Sequence, residues 1–211
     1  VAAVIRIKSK KMENFLKIYL PVYLLLYLLV TFVIPTYRTY KQTGINPVTF
    51  GNRDNTHDYI GFVMKFLIVL LFVAVVLFSF GGQRYHYSVP IPYLENEYLK
   101  MIGLLLIHIA LLWVMIAQYQ MQTSWRIGID ETHKTELRTN GIFGISRNPI
   151  FLGMIISVLG LFMIVPNALT FFTTLATYFI IQIQVRLEEA FLAKQHPVDY
   201  PKYKQKVKRF L

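Results

Sequence analysis

The chain has 211 residues, of which 55% are apolar, with 16 Phe and 14 Tyr, far more apolar surface than a globular core of this length needs. Lys and Arg outnumber Asp and Glu 22 to 11 although only 16% of residues are charged, so the surplus belongs at helix ends where anionic lipid headgroups can meet it, and nucleic acid is not required to explain it. The absence of cysteine excludes disulfides, thiolate nucleophiles and Cys-ligated metals, and the five His show no metal-ligand spacing, so no metal site is expected.

The first apolar stretch covers residues 18–34, and Pro35 is expected to end it. Tyr19, Tyr37 and Tyr40 suit interfacial positions. The short basic start is followed by no small-residue cleavage site, so a cleavable signal is not expected; the start at Val1 rather than Met leaves room for residues upstream. Residues 36–58, with Gly44, Asn46-Pro47, Gly51-Asn52 and Asp54-Asn55, read as a loop. A second span is expected over 59–80, with Lys65 near its start and Gly81-Gly82 as its exit, and a third over 98–119, interrupted by His108, which is expected to be a satisfied histidine inside the bundle. Residues 120–148 are too polar to cross hydrocarbon.

Two apolar arms follow, 150–165 and 168–185, divided by Pro166-Asn167, and a tight helical hairpin is the economical arrangement. The basic tail, 194–209, broken by Pro197 and Pro201, is expected to lie at the membrane surface or fold back onto the helix ends. The predicted fold is therefore an all-α integral membrane protein of about five transmembrane helices, with residues 1–119 forming the tail and three spans and 120–211 the catalytic segment, hairpin and tail. Such a topology places 14 of the 22 positive residues on one side, which the positive-inside rule makes cytoplasmic together with the C-terminus; Arg6, Lys8, Lys10, Lys11, Lys17, Arg84 and Lys100 fall on the other.

Chemistry-bearing residues flank the hairpin in two pieces. One holds Ser124-Trp125-Arg126-Ile127-Gly128, Glu136-Leu137-Arg138-Thr139-Asn140-Gly141-Ile142-Phe143 and Ser146-Arg147-Asn148-Pro149-Ile150-Phe151-Leu152-Gly153; the other holds Arg186, Glu188, Glu189, His196, Tyr200, Tyr203, Lys204 and Arg209. A closed hairpin would bring both to one interface, where arginines, acids, amides and glycines suit a ligand bearing a carboxylate, an amine and hydroxyls. On a helix with Gln182 at zero, Arg186 and Glu189 fall at about 40° and 340°, Gln184 and Glu188 at about 200° and 240°, so Glu189 is assigned to an Arg186 network and Glu188 to a cofactor amine or ribose.

This region, residues 125–210, resembles the isoprenylcysteine carboxyl methyltransferases and their prokaryotic relatives, grouped with the phospholipid N-methyltransferases. Asn140, Gly141, Ile142 and Phe143 correspond to the family's turn, Arg147, Asn148, Pro149, Phe151 and Gly153 to its motif, and Glu188 with Glu189 to its acidic pair; Asn148 stands where a His is usual and Phe151 where a Tyr is. The resemblance implies S-adenosyl-L-methionine as cofactor, entering from the cytosol, and a lipidic or prenylated acceptor entering from the bilayer. It implies cofactor contacts from Glu136, Leu137, Asn140, Gly141, Phe143, Arg147, Asn148, Pro149, Gly153, Glu188 and Tyr200, with Arg147, Arg186 and Glu189 as catalytic candidates, and Arg147 on the cofactor carboxylate. An isoprenylcysteine carboxylate and a phospholipid amine both stay open as acceptors: an arginine would fix the former, and a carboxylate would serve the latter. A looser resemblance of the terminal region to nicotinamide-dependent membrane sterol reductases, and a membrane scaffold without activity, are the alternatives.

Overall fold

The computed structural model describes residues 2–51, 54–130, 132–133 and 135–211, with side chains from Lys10 onward. Asn52 of the expected turn and Arg53 and Lys134 of the charge count lie outside the described residues, as do the side chains of Arg6 and Lys8. Helix α1 (Ala2–Leu28) passes through one π turn, Leu29–Val33, directly into α2 (Ile34–Thr43). Pro35 therefore does not end the first span, and residues 36–43, expected as loop, are helical. In an unbroken α-ladder the N–H of residue 35 would donate to the carbonyl of Thr31, and proline has none. The π turn moves the Ile34 N–H back to the Leu29 carbonyl, and the orphaned Thr31 carbonyl accepts instead from Gln118 Nε2 at 2.6 Å. The helix stops at Gly44, whose φ of 69° is the left-handed conformation common just past a helix C-terminus.

Each later helix starts on a legible signal. Asn55 caps α3 (Thr56–Phe80) through Asp58 N–H, and Asn96 caps α4 (Glu97–Met121) through Leu99 N–H. Pro149 occupies the first position of α5 (Pro149–Ile164), and Asn167 with Thr170 forms a reciprocal capping box on α6 (Ala168–Gln195). Helix α6 runs beyond its apolar stretch to Gln195. The tail folds back as expected, but Pro201 does not break it: it sits in the first turn of α7 (Asp199–Lys206), where its missing N–H costs nothing.

Helices α4 and α5 lie closest, because small residues face each other: a Cβ on Gly103 would come within 2.6 Å of the Gly160 carbonyl. Trp113 Nε1 donates to the Pro149 carbonyl at 2.9 Å, fixing the start of α5 against α4. Leu16, Leu20, Tyr23, Val75, Ile107 and Ile164 form a core shared by α1, α3, α4 and α5. Four helical rods, Lys10–Thr43, Thr56–Phe80, Glu97–Ser124 and Ala168–Gln195, are long and apolar enough to cross a membrane, and at most 33% of each apolar window is buried within the protein. Outward residues such as Ile18, Phe62, Leu105 and Phe179 thus require lipid around them. His108 also lies on the outside rather than within, yet is satisfied by the Tyr19 hydroxyl at 2.6 Å and the Leu104 carbonyl.

The connections sort to two ends. At one, Ile91 N–H donates to the Pro166 carbonyl and Ala168 N–H to the Val89 carbonyl, joining the α3–α4 connection to the break between α5 and α6. At the other, Ile127 N–H donates to the Pro47 carbonyl and Thr49 N–H to the Ile127 carbonyl, joining the loop after α2 to the segment after α4. The start of α5, the end of α6 and the tail gather at this second end.

Candidate functional site

Pro149 starts α5 so that Arg147 and Asn148 stand at its mouth, and the last turns of α6 present Glu188 and Glu189 beside them. The buried Glu189 carboxylate gathers most of the polar groups. Its Oε1 accepts from Arg147 Nη2 at 3.0 Å, Asn148 Nδ2 at 3.1 Å and Arg209 Nε at 3.1 Å, and its Oε2 from Arg209 Nη2 at 2.8 Å. Arg147 Nη1 donates to the carbonyls of Lys204 and Val207, its backbone N–H to Lys208, and Ser146 Oγ donates to the Arg209 carbonyl. Residues 207–211 are thereby laced across the mouth of α5. The bond to Glu189 raises the pKa of Arg209. Tyr200 is pushed up to about 12, chiefly by burial and then by the charge of Glu189; Tyr203 is raised as well, chiefly by burial, and its hydroxyl donates to the Phe143 carbonyl at 2.6 Å.

The expected Arg186–Glu189 network does not form. Arg186 is exposed and folds back on its own helix, to the Gln182 carbonyl at 2.6 Å and Gln182 Oε1 at 2.8 Å. Glu189 turns inward instead, where two arginines from other segments compensate its charge; a sequence-local wheel has no knowledge of Arg147 and Arg209. On the opposite face Gln184 Nε2 donates to Glu188 Oε1 at 2.8 Å.

Beside this cluster lies a cavity of about 160 Å³ walled by Phe50, Trp125, Phe143, Gln118, Gln184 and Glu188, with Arg126 and Arg147 at its polar end. Gln118 was not singled out by sequence, although an amide inside an apolar span was the available signal. A second, apolar cavity of about 80 Å³ adjoins it, sharing Tyr27, Phe32, Met64 and Met154 and running between α1, α3, α5 and α6. Both arginines are already matched to carboxylates: Arg147 to Glu189, and Arg126 Nε to Asp130 Oδ2 at 3.1 Å. For Asp130, burial works upward, but hydrogen bonds from Thr132, Arg126 and His133 outweigh it and hold the carboxyl well below its ordinary value. Glu188 has no cationic partner among the described residues. The floor is latched by His57, whose Nε2 accepts the Ile129 N–H at 2.8 Å.

A separate polar groove of about 830 Å³ opens at the same end, lined by Glu136, Leu137, Asn140, His196, Asp199 and Lys202. The predicted cofactor residues are therefore divided. Glu136, Leu137 and Asn140 line the groove, while Phe143, Arg147, Asn148, Pro149 and Glu188 line the cavity; the Tyr203–Phe143 bond joins the two walls. Gly141, at φ 63°, turns the chain against Gln120, and Gly153 packs on Val114 of α4; neither lines a cavity. Tyr200 is buried beneath the arginine cluster rather than in either wall. Among the described residues, His196 Nε2 and Gln184 Oε1 are two of the buried side-chain atoms without a hydrogen-bond partner.

A model of the phospholipid methyltransferase family matches residues 99–198. The match supports an S-adenosylmethionine-dependent methyltransferase. It covers α4, α5 and α6 with the polar segment between them, and it places the chain's likeness in the broader group of lipid methyltransferases, not with the isoprenylcysteine enzymes in particular. No curated protein matches the chain.

Proposed function

We propose that this protein transfers a methyl group from S-adenosylmethionine to the amine of a membrane lipid, at an end of the bundle that faces the cytosol. The observation that carries the choice of an amine is the pairing of the acidic and basic groups in the cavity: both arginines in its wall are matched to carboxylates, whereas Glu188 has only an amide beside it among the described residues. Burying that carboxylate is costly without a cation, so the cavity favours an ammonium group. An isoprenylcysteine carboxylate would need an uncommitted cation there. The adjoining apolar cavity suits the chains of the same lipid.

The groove suits the cofactor: the carboxylates of Glu136 and Asp199 can accept from ribose hydroxyls, and the Lys202 ammonium can meet a carboxylate. When bound, the sulfonium supplies an electrophilic methyl and leaves as a neutral sulfide. The chain's own residues would orient the amine, exclude water and relieve it of a proton, with Glu188 as the accepting carboxylate so that the nitrogen lone pair is free to attack. Arg147 is assigned to holding the tail over this site, since each of its guanidinium nitrogens already donates within the protein.

The test is E188Q in detergent-solubilised protein, with adenosylmethionine affinity and methyl transfer to an aminolipid measured separately. Transfer should fall at least about a hundred-fold, as for loss of a general base, while cofactor affinity changes little. Loss of cofactor affinity with an unchanged KM for the lipid would return Glu188 to the cofactor amine. Binding of NADPH with none of adenosylmethionine would overturn the methyltransferase reading.

A further inference from the structure

The end of the bundle away from the cavity and groove carries a pocket of its own, of about 590 Å³, where α1, the end of α3, the α3–α4 connection and the start of α4 meet. Its charged residues are unequally matched. Lys17 is bridged to Glu13, one turn away on α1, at 2.5 Å. Lys100 and Glu95 have no ion-pair partner among the described residues, and they do not bridge each other. The pocket thus offers one unmatched cation, in the first turn of α4, and one unmatched anion, in the connection before it. Tyr85 in the same wall has its pKa raised chiefly by burial and further by the charges of Glu95 and Glu13, so both acids stand near its hydroxyl.

The depth of the pocket in a bilayer follows from its surroundings. Tyr87, Tyr93 and Tyr98, in the connection and the start of α4, are almost fully exposed, as aromatic residues at the headgroup level of a membrane are. Phe80, at the pocket's edge, heads an exposed apolar stripe with Val73, Val69 and Phe66 on one face of α3, a track along which an acyl chain can descend. Lys100 and Gln118 of the cavity stand about 27 Å apart along α4, so a lipid held here lies in the other leaflet and is not the methyl acceptor.

We infer that this pocket is a second lipid site, which binds the headgroup of a zwitterionic phospholipid with its phosphate on Lys100 and its ammonium on Glu95. A headgroup carrying both charges satisfies both residues at once. An anionic headgroup without an ammonium satisfies Lys100 alone and leaves Glu95 facing a phosphate, which sets the preference between the two. The His86 ring, in the same wall, can add an N–H to the phosphate. A lipid seated there would tie α1, α3 and α4 together at the end of the bundle remote from the cavity. The inference does not depend on the amine reading above.

The experiment titrates the full chain in detergent with phosphatidylethanolamine or phosphatidylglycerol carrying a diazirine at the top of one acyl chain. After photolysis, the label recovered in peptides covering residues 78–100 gives the affinity of this pocket apart from the cavity. Labelling should saturate, with phosphatidylethanolamine bound at least about five-fold more tightly than phosphatidylglycerol. K100Q should weaken both lipids at least about ten-fold, and E95Q should bring the two to near parity. Lys100 is half-buried and Glu95 exposed, so both variants should fold, which their melting temperatures without lipid check. Labelling that does not saturate, or equal affinity for the two lipids in the unaltered protein, overturns the inference without any variant. Unchanged affinity in folded K100Q overturns it too. Soluble phosphoethanolamine at the lipid's own concentration should not compete; displacement by it would make the pocket a site for a free zwitterion and not for a lipid. No turnover is measured, so failure here and failure of the amine reading are separate results.

Discussion

Adjacent acids on α6 have opposite circumstances, and their neighbours explain why. Glu189 receives two arginines and an asparagine from two separate segments; Glu188, one residue earlier, receives one glutamine. Removing Glu189 would leave Arg147 and Arg209 facing each other with no carboxylate between them. E189A is therefore expected to destabilise the protein by about 3–5 kcal/mol, the usual consequence of breaking a buried ion pair on one side. R186A removes only an exposed group bonded to its own helix, and should change stability by no more than about 0.5 kcal/mol and leave turnover intact. Thermal unfolding of both variants in the same detergent checks this. If R186A proved as damaging as E189A, the inward orientation of Glu189 would be mistaken. By the same logic R147A should weaken folding as well as function, since it releases the tail from the mouth of α5.

Elements are placed by contacts as close as those between side chains. A Cβ on Gly160 would stand 2.8 Å from Ile107 Cγ2 and 2.9 Å from the Gly103 carbonyl, so α4 and α5 meet there without room for a side chain. Because α5 carries Arg147 and Asn148 at its start, any displacement of this helix moves the site. Gly160→Leu should cost about 1–3 kcal/mol through overpacking and reduce activity with it. Gly144→Ala is the control: its Cβ would meet nothing nearer than the Thr139 carbonyl at 3.5 Å. Melting temperatures of the two variants distinguish the cases, and equal tolerance at both positions would contradict the close approach of α4 to α5. The π turn before Pro35 shows the same dependence in reverse. A proline that ends a helix by local rules is carried through because Gln118, on another helix, satisfies the carbonyl that proline abandons.

At the scale of the molecule, the hydrogen bonds between connections divide the chain into a polar end, holding the cavity and groove, and an opposite end that holds the α3–α4 connection and the α5–α6 break. Helix α5, with 16 residues and about 24 Å of length, runs between these ends alongside the four longer rods. The polar end carries most of the basic residues, including Arg126, Arg138, Arg147, Lys202, Lys204, Lys206, Lys208 and Arg209. A topology reporter fused after Leu211 should therefore be active in the cytoplasm. Activity on the far side of the membrane would invert the orientation and remove the route by which a cytosolic cofactor reaches the groove.

The sequence by itself determined the membrane-embedded, all-helical character of the chain, the helical arms on either side of Pro166-Asn167 and the likeness to lipid methyltransferases. Apolar length, caps and motif order are local properties, and Asn55, Asn96, Asn167 and Pro149 each state a helix start within a few residues. The shared face of Gln184 and Glu188, one helical turn apart, was legible too, and the structure joins them by a hydrogen bond. Only the tertiary structure decided which acid faces an arginine, why Pro35 does not stop its helix, and that the predicted cofactor residues divide between a groove and a cavity. These outcomes depend on partners between about 20 and 90 positions away in the chain, such as Arg209 for Glu189 and Gln118 for Thr31. No helical period encodes such a partner, because the free energy that selects it exists only once separate segments are packed side by side.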